Sequence, residues 1–137
     1  MKELRVVVDT NVLVSILKGN PTLSPLYTAF KNDEFRLVIC AEVIKELAAV
    51  LYRPRLNIDP RDIKELFRII KFKALRVKLP APFLDACRDP KDNSFLELAI
   101  CAQAQFIITG DNDLLVLHPF RGISILPPRS FIDQLYK

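Results

Sequence analysis

Glycine is scarce in this chain: Gly19, Gly110 and Gly122 are the only three in 137 residues. That excludes both a GxGxxG dinucleotide fingerprint and a Walker loop, which need closely spaced glycines to bring backbone against phosphate. Histidine is scarcer still. A single His118 excludes metal sites built on two or more imidazoles, and a Ser-His-Asp triad would have to use it with no nucleophile-elbow motif to help. Its expected role is surface or packing. Cys40, Cys87 and Cys101 are odd in number, far apart and form no CxxC, so neither a zinc knuckle nor a redox pair is indicated. They read as reduced, mostly buried thiols acting as small apolar groups. No apolar run approaches the roughly 18 residues of a membrane span, and there is no internal repeat or Gly/Ser linker. Charges at Lys2, Glu3, Arg5 and Asp9 disfavour a secretory signal, so the expected location is the cytoplasm.

Half the residues are apolar and 26% are charged, which suits a single domain over residues 1–137 with one substantial core. The net charge of +4 is unevenly spread. Lys45 to Lys78 holds ten Lys/Arg against four Asp/Glu, a net of +6; Asp85 to Asp113 holds six acids against two bases, a net of −4. A basic stretch with an acidic cluster suits an enzyme that attracts a polyanion and cuts it with bound metal. An ordinary solvated helix face explains the basic stretch taken alone equally well.

Short, β-branched apolar runs at Leu4–Val8, Arg36–Cys40 and Phe106–Thr109 read as buried parallel strands. Ala74–Lys78 alternates and reads as a weaker strand near an edge, with Ile123–Leu126 a fifth candidate. Helices are expected at Val12–Lys18, at Leu26–Lys31 behind a Ser24 cap and Pro25, and at Glu42–Tyr52. Further helices are expected at Ile63–Phe72 behind Asp59-Pro60, at Asp92–Ala104 with Phe95, Leu96, Ala99 and Ile100 on one face, at Asn112–Leu117 and at Ser130–Tyr136. This alternation predicts a three-layer α/β/α fold around a parallel sheet of about four to five strands.

Parallel sheets bind ligands at the carboxyl ends of their strands. Asp9 directly follows the first strand, Asp111 follows the fourth, and Asp92 opens the helix that feeds the fourth. Glu46 lies roughly 7–8 Å down the helix after the second strand, with a side chain that leans back toward the helix start. Four carboxylates thus converge on one rim. Like charges raise one another's pKa, and a hard divalent cation relieves them. Oxygen-only ligands suit Mg2+ or Mn2+ rather than zinc and point to phosphoryl chemistry, with one ion or two. Each acid also has a structural alternative: Asp92 and Asp111 as helix caps, for example. Asp9 is hardest to dismiss, because an Asp directly after a buried Val-Val-Val strand has no core role.

Val8-Asp9-Thr10-Asn11-Val12, Glu46-Leu47, Asp89-Pro90-Lys91-Asp92-Asn93-Ser94-Phe95-Leu96-Glu97-Leu98-Ala99 and Thr109-Gly110-Asp111-Asn112-Asp113-Leu114-Leu115 together resemble the PIN domain. Each motif is weak alone; in this order and spacing they are specific. The closest likeness is to the VapC-like toxins of toxin–antitoxin pairs. The resemblance implies that Asp9, Glu46, Asp92 and Asp111 bind Mg2+ or Mn2+ and that the activity is endoribonuclease cleavage. It adds Asp113 as a further acid that some members use, and Asn11 and Thr109 as supporting polar positions. Two departures stand out. Cys40-Ala41 replaces the hydroxyl residue that often opens the Glu-bearing helix, and Asp89 is an alternate ligand beside Asp92.

Arg53, Arg55, Lys71 and Lys73 are candidate RNA contacts. The toxin likeness implies a homodimer and a small antitoxin partner, and Leu26, Tyr27, Phe30, Leu51 and Tyr52 are expected to leave an apolar patch for such surfaces. A haloacid-dehalogenase-like phosphatase is the runner-up, from Asp9-Thr10-Asn11 and the later Gly110-Asp111-Asn112-Asp113. Asn11, however, stands where such enzymes place a second Asp as general acid. A non-catalytic RNA- or protein-binding module on the same scaffold is the third reading, and the presence of all four acids argues against it.

Overall fold

The computed structural model describes the backbone of residues 3–79 and 90–136, and the side chains of the same segments except residues 90–93. Its elements run β1 (Arg5–Val8), α1 (Thr10–Leu17), α2 (Ser24–Lys31), β2 (Arg36–Ile39), α3 (Ala41–Leu51), a 3-10 turn (Pro54–Leu56), α4 (Pro60–Lys73), β3 (Leu75–Arg76), α5 (Pro90–Cys101), β4 (Phe106–Ile108), α6 (Asn112–Leu115), β5 (Ser124–Leu126) and α7 (Pro128–Leu135). The α/β alternation is the one the sequence predicts.

All five strands pair in parallel, in the order β3-β2-β1-β4-β5. Val6, Val7 and Val8 sit at the centre with almost no exposure, as a β-branched run must when both faces of a parallel sheet are covered. The weak strand β3 is an edge, as its alternating sequence predicts. From β1 the chain moves outward through β2 to β3, then returns to β4 on the other side of β1. The direction of winding therefore reverses between β1 and β4, and their carboxyl ends diverge there to leave a crevice. Registers Val6↔Phe106, Val7↔Ile107 and Val8↔Ile108 bring the two strands to the same level at that rim.

Several element starts differ from expectation, each for a hydrogen-bonding or packing reason. Helix α1 begins at Thr10 rather than Val12, because Asp9 caps it: its side chain accepts the Asn11 N–H. Helix α2 begins at Ser24 itself, with no side-chain cap. Helix α5 begins at Pro90, a residue favoured in the first helical turn, so Asp92 is the third helical residue and not its opener. Asp59 does cap α4, as read. Phe95, Leu96, Leu98 and Ala99 are all buried on α5, a wider burial than the single face expected, because this helix packs against β1, β2 and β4 at once.

At the amino-terminal side a cluster of rings closes the core. Phe131 on α7 meets Phe35 at 5.6 Å and Phe106 at 5.2 Å, both edge-on, and Phe35 stacks on Phe30 of α2 at 6.0 Å. This closure consumes most of the expected surface patch. Leu26, Phe30 and Leu51 are buried, Tyr27 is half-buried and only Tyr52 is exposed, so no contiguous patch remains among them. Of the cysteines, Cys40 is buried and burial pushes its thiol up to about 11, while Cys101 is exposed, against expectation; Cys87 lies outside the described residues. His118 accepts the Ile125 N–H at its Nδ1, a packing role.

Phe131→Ala should cost about 3–5 kcal/mol in urea unfolding, because it empties a fully buried ring site. Phe72→Ala, at a 72% exposed ring, should stay within about 0.5 kcal/mol. Equal effects would show that the ring cluster does not hold α7.

Candidate active site

Asp9 leaves β1 and Thr109 leaves β4 at the same level, because the Asp9 N–H continues the ladder to the Ile108 carbonyl at 2.9 Å. Across this seam the Thr109 hydroxyl, wholly buried, donates to Asp9 Oδ2 at 2.7 Å. The other oxygen, Oδ1, accepts the Asn11 N–H at 3.1 Å as the cap of α1. The same Thr109 oxygen accepts the Asp111 N–H at 3.0 Å, and Asp111 Oδ1 caps α6 by accepting the Asp113 N–H at 2.9 Å. Two acids from opposite sides of the seam are thereby held by one hydroxyl.

Asp9 is only 5% exposed, yet among the described residues no lysine or arginine pairs with it. Its partners are one N–H and one hydroxyl, each taking one lone pair of one oxygen. A buried carboxylate without a counter-cation is costly. The remaining lone pairs open on a cleft of about 430 Å³ whose lining includes Asp9, Asn11, Ser15, Gly110, Asp111 and Pro128. Two larger hollows, of about 590 and 550 Å³, lie at the opposite rim. There Glu3 is already neutralised by Arg5 and Arg36, whose guanidiniums hold its carboxyl below the usual range. The smaller cleft is where charge is left uncompensated, and the better candidate for that reason.

The structure thus brings together Asp9, Asn11, Thr109 and Asp111, and Asp113 joins them through its backbone N–H. Glu46 is half-buried on α3, which packs beside α1, but does not line the cleft. Asp92 lies in the first turn of α5 with its side chain outside the described residues, and Asp89 lies outside them altogether. Among the described residues no three of His, Cys, Asp and Glu are grouped closely enough to hold an ion. The donors at hand are all oxygens, which fits a hard divalent ion in kind.

The basic residues are not gathered here. Arg53 and Arg55 are exposed beyond the far end of α3, about 16 Å along its axis from the rim where that helix starts. Lys71 lies over the Phe72 ring near the end of α4. Lys73 is drawn to the opposite rim, bonded to Asp33 and the Lys31 carbonyl just ahead of β2. Chain order placed them: both helices carry these cations at their C-terminal ends. Any contact they make with RNA is therefore away from the acids, toward the C-terminal ends of α3 and α4.

Sequence reading also passed over two residues. Glu97 is only 2% exposed in the middle of α5; an acid flanked by Phe95, Leu96, Leu98 and Ala99 was the available signal. Ser15 lines the cleft one helical turn beyond Asn11, at a spacing that could have been read once α1 was known to start at Thr10.

Thr109→Val keeps the shape and removes the hydroxyl, stranding the Asp111 N–H and one Asp9 oxygen. It should cost about 1–3 kcal/mol in urea unfolding carried out in chelator. An unchanged midpoint would mean that the seam does not depend on this bond.

A family model described as PIN domain matches residues 5–113, from the first residue of β1 to the acid that follows Asp111 on α6. A search of curated proteins gives no match. The matched span takes in the seam, both capping acids and the helices between them, and the chain belongs to the PIN domain family, whose members are generally nucleases.

Proposed function

We propose that this PIN domain is a metal-dependent endoribonuclease that hydrolyses RNA phosphodiester bonds, and that it is the toxin of a toxin–antitoxin pair. The observation that carries the first half is the buried Asp9 carboxylate, without a counter-cation among the described residues and tied through Thr109 to Asp111 at the crevice where the sheet changes winding direction. Family membership favours this reading over a haloacid-dehalogenase-like phosphatase. The toxin half rests on the likeness of the motifs to the VapC-like subgroup.

Asp9, Glu46, Asp92 and Asp111 are the proposed ligands of Mg2+ or Mn2+, with Asp113 at their edge. When bound, such an ion offsets phosphate charge and makes a water more acidic. The protein's part is orientation. Capping and the Thr109 bond hold Asp9 in one rotamer with both oxygens partly committed, so the lone pairs left over have a fixed direction. Asp111 is fixed in the same way by the Asp113 N–H, and Asn11, exposed at the mouth, is placed to meet substrate. Arg53, Arg55, Lys71 and Lys73 are the proposed RNA contacts, reached by an RNA strand that runs beyond the cleft, with Lys73 also paired to Asp33. A homodimer and an inhibitory antitoxin follow from the subgroup likeness alone, without support from the aromatic patch expected for them. Among the described residues no helix is long and apolar enough to cross a membrane.

Asp9→Asn retains the cap and the shape but removes the charge. It should lower Mn2+-dependent cleavage of single-stranded RNA by at least about a hundredfold while leaving the circular dichroism spectrum unchanged. EDTA should do the same to the wild type. Cleavage by the variant at the wild-type rate would place the activity elsewhere. Light scattering at a mass near 15.7 kDa across micromolar concentrations would remove the dimer.

A further inference from the structure

The cleft that holds Asp9 and Asp111 extends beyond them, and that extension has a different chemistry. Helix α1 forms one wall. Asn11, Val12 and Ser15 fall on one face of it, and Asn11 to Ser15 spans about 6 Å along the axis. Leu23 and Pro128 also line it, and both are apolar. Among the described residues no lysine or arginine lines the cleft. Away from the acids its described lining is therefore neutral: a hydroxyl and a carboxamide beside the apolar Val12, Leu23 and Pro128.

Those two polar side chains are unengaged. Among the described residues, neither the Ser15 hydroxyl nor the Asn11 carboxamide takes a hydrogen-bond partner within the protein. A serine inside a helix commonly turns its hydroxyl back on the carbonyl four residues earlier. Ser15 does not, and it lines the cleft instead. Neutral heterocycles are bound in this way, with a face against apolar surface and edges met by a few placed polar groups.

We propose that this extension is a nucleobase pocket, in which the Ser15 hydroxyl and the Asn11 carboxamide meet the edge of a base adjoining the phosphate that a divalent ion at Asp9 and Asp111 would hold, while Pro128 and Leu23 cover its face. The placement of that phosphate rests on the ribonuclease reading; the pocket itself does not. An amide presents donor and acceptor side by side and can pair two atoms of a base edge. A base inside a duplex has its faces stacked and its pairing edge occupied, so it cannot enter. The pocket therefore selects single-stranded substrate and confers a base preference next to the cut.

The test needs neither metal nor cleavage. Adenosine, cytidine, guanosine and uridine are titrated separately into 15N-labelled wild-type protein in EDTA and followed by NMR. At least one should shift the backbone amides of Asn11, Ser15 and Gly110 saturably, and the four should differ in affinity. Ser15→Ala should weaken the preferred nucleoside by about three- to tenfold, the worth of one hydrogen bond to a neutral group. Ser15→Phe, which fills the cleft, should abolish the shifts in a protein that still gives a folded spectrum. No shift with any of the four, or four equal affinities untouched by Ser15→Ala, overturns the pocket. Nucleoside binding in a protein that cuts no RNA would strike the ribonuclease reading and leave the pocket standing.

Discussion

The hydroxyl of Thr109 joins two strands that are neighbours in the sheet but a hundred residues apart in the chain. It donates to one acid and accepts from the backbone of the other, so a single buried oxygen ties together the two carboxyl ends that the β1–β4 ladder has brought level. That seam is also where winding reverses, and a reversal leaves the two exit segments diverging with no helix packed between them. The crevice is a consequence of strand order. Its chemistry follows from what stands at the two strand ends.

Both seam acids serve the fold and the site at once. Asp9 caps α1 and Asp111 caps α6, each through one oxygen. The structural and functional readings of these residues therefore do not compete, since a carboxylate has enough lone pairs for both. Capping even serves chemistry, because a carboxylate held by an N–H and a hydroxyl has few rotamers left to lose when it takes a further ligand. What capping does not supply is a positive charge. Asp9 remains buried without one among the described residues, and that imbalance separates this rim from the far one, where Glu3, Arg5 and Arg36 neutralise one another.

Helix α5 shows how burial can exceed a one-face pattern. It crosses from one edge strand back over the middle of the sheet, so its surroundings are protein on nearly every side, and an acid at Glu97 is carried inside with its apolar neighbours. The aromatic residues of α2 follow the same logic. In isolation they suggest a docking surface, yet Phe35 stacks on Phe30 and is closed in turn by Phe131 of α7, which packs beside α2. Exposure is decided by what else packs nearby, and for short amphipathic helices the sequence holds no record of that.

From sequence alone came the five strands, because β-branched runs at Val6–Val8, Leu37–Ile39 and Ile107–Ile108 have no other stable use than a covered parallel sheet, and the positions of the acids at strand ends. Helix starts were legible to within three residues. The differences at Thr10 and Pro90 arise because a cap is chosen by a hydrogen bond or a fixed φ rather than by the apolar period. Tertiary structure alone decided the strand order, and with it the pairing of Asp9 with Asp111 across a seam. It also placed Ser15 on the lining of the cleft. These are relations between segments far apart in the chain, set by which apolar faces pack together. Local periodicity carries no information about them.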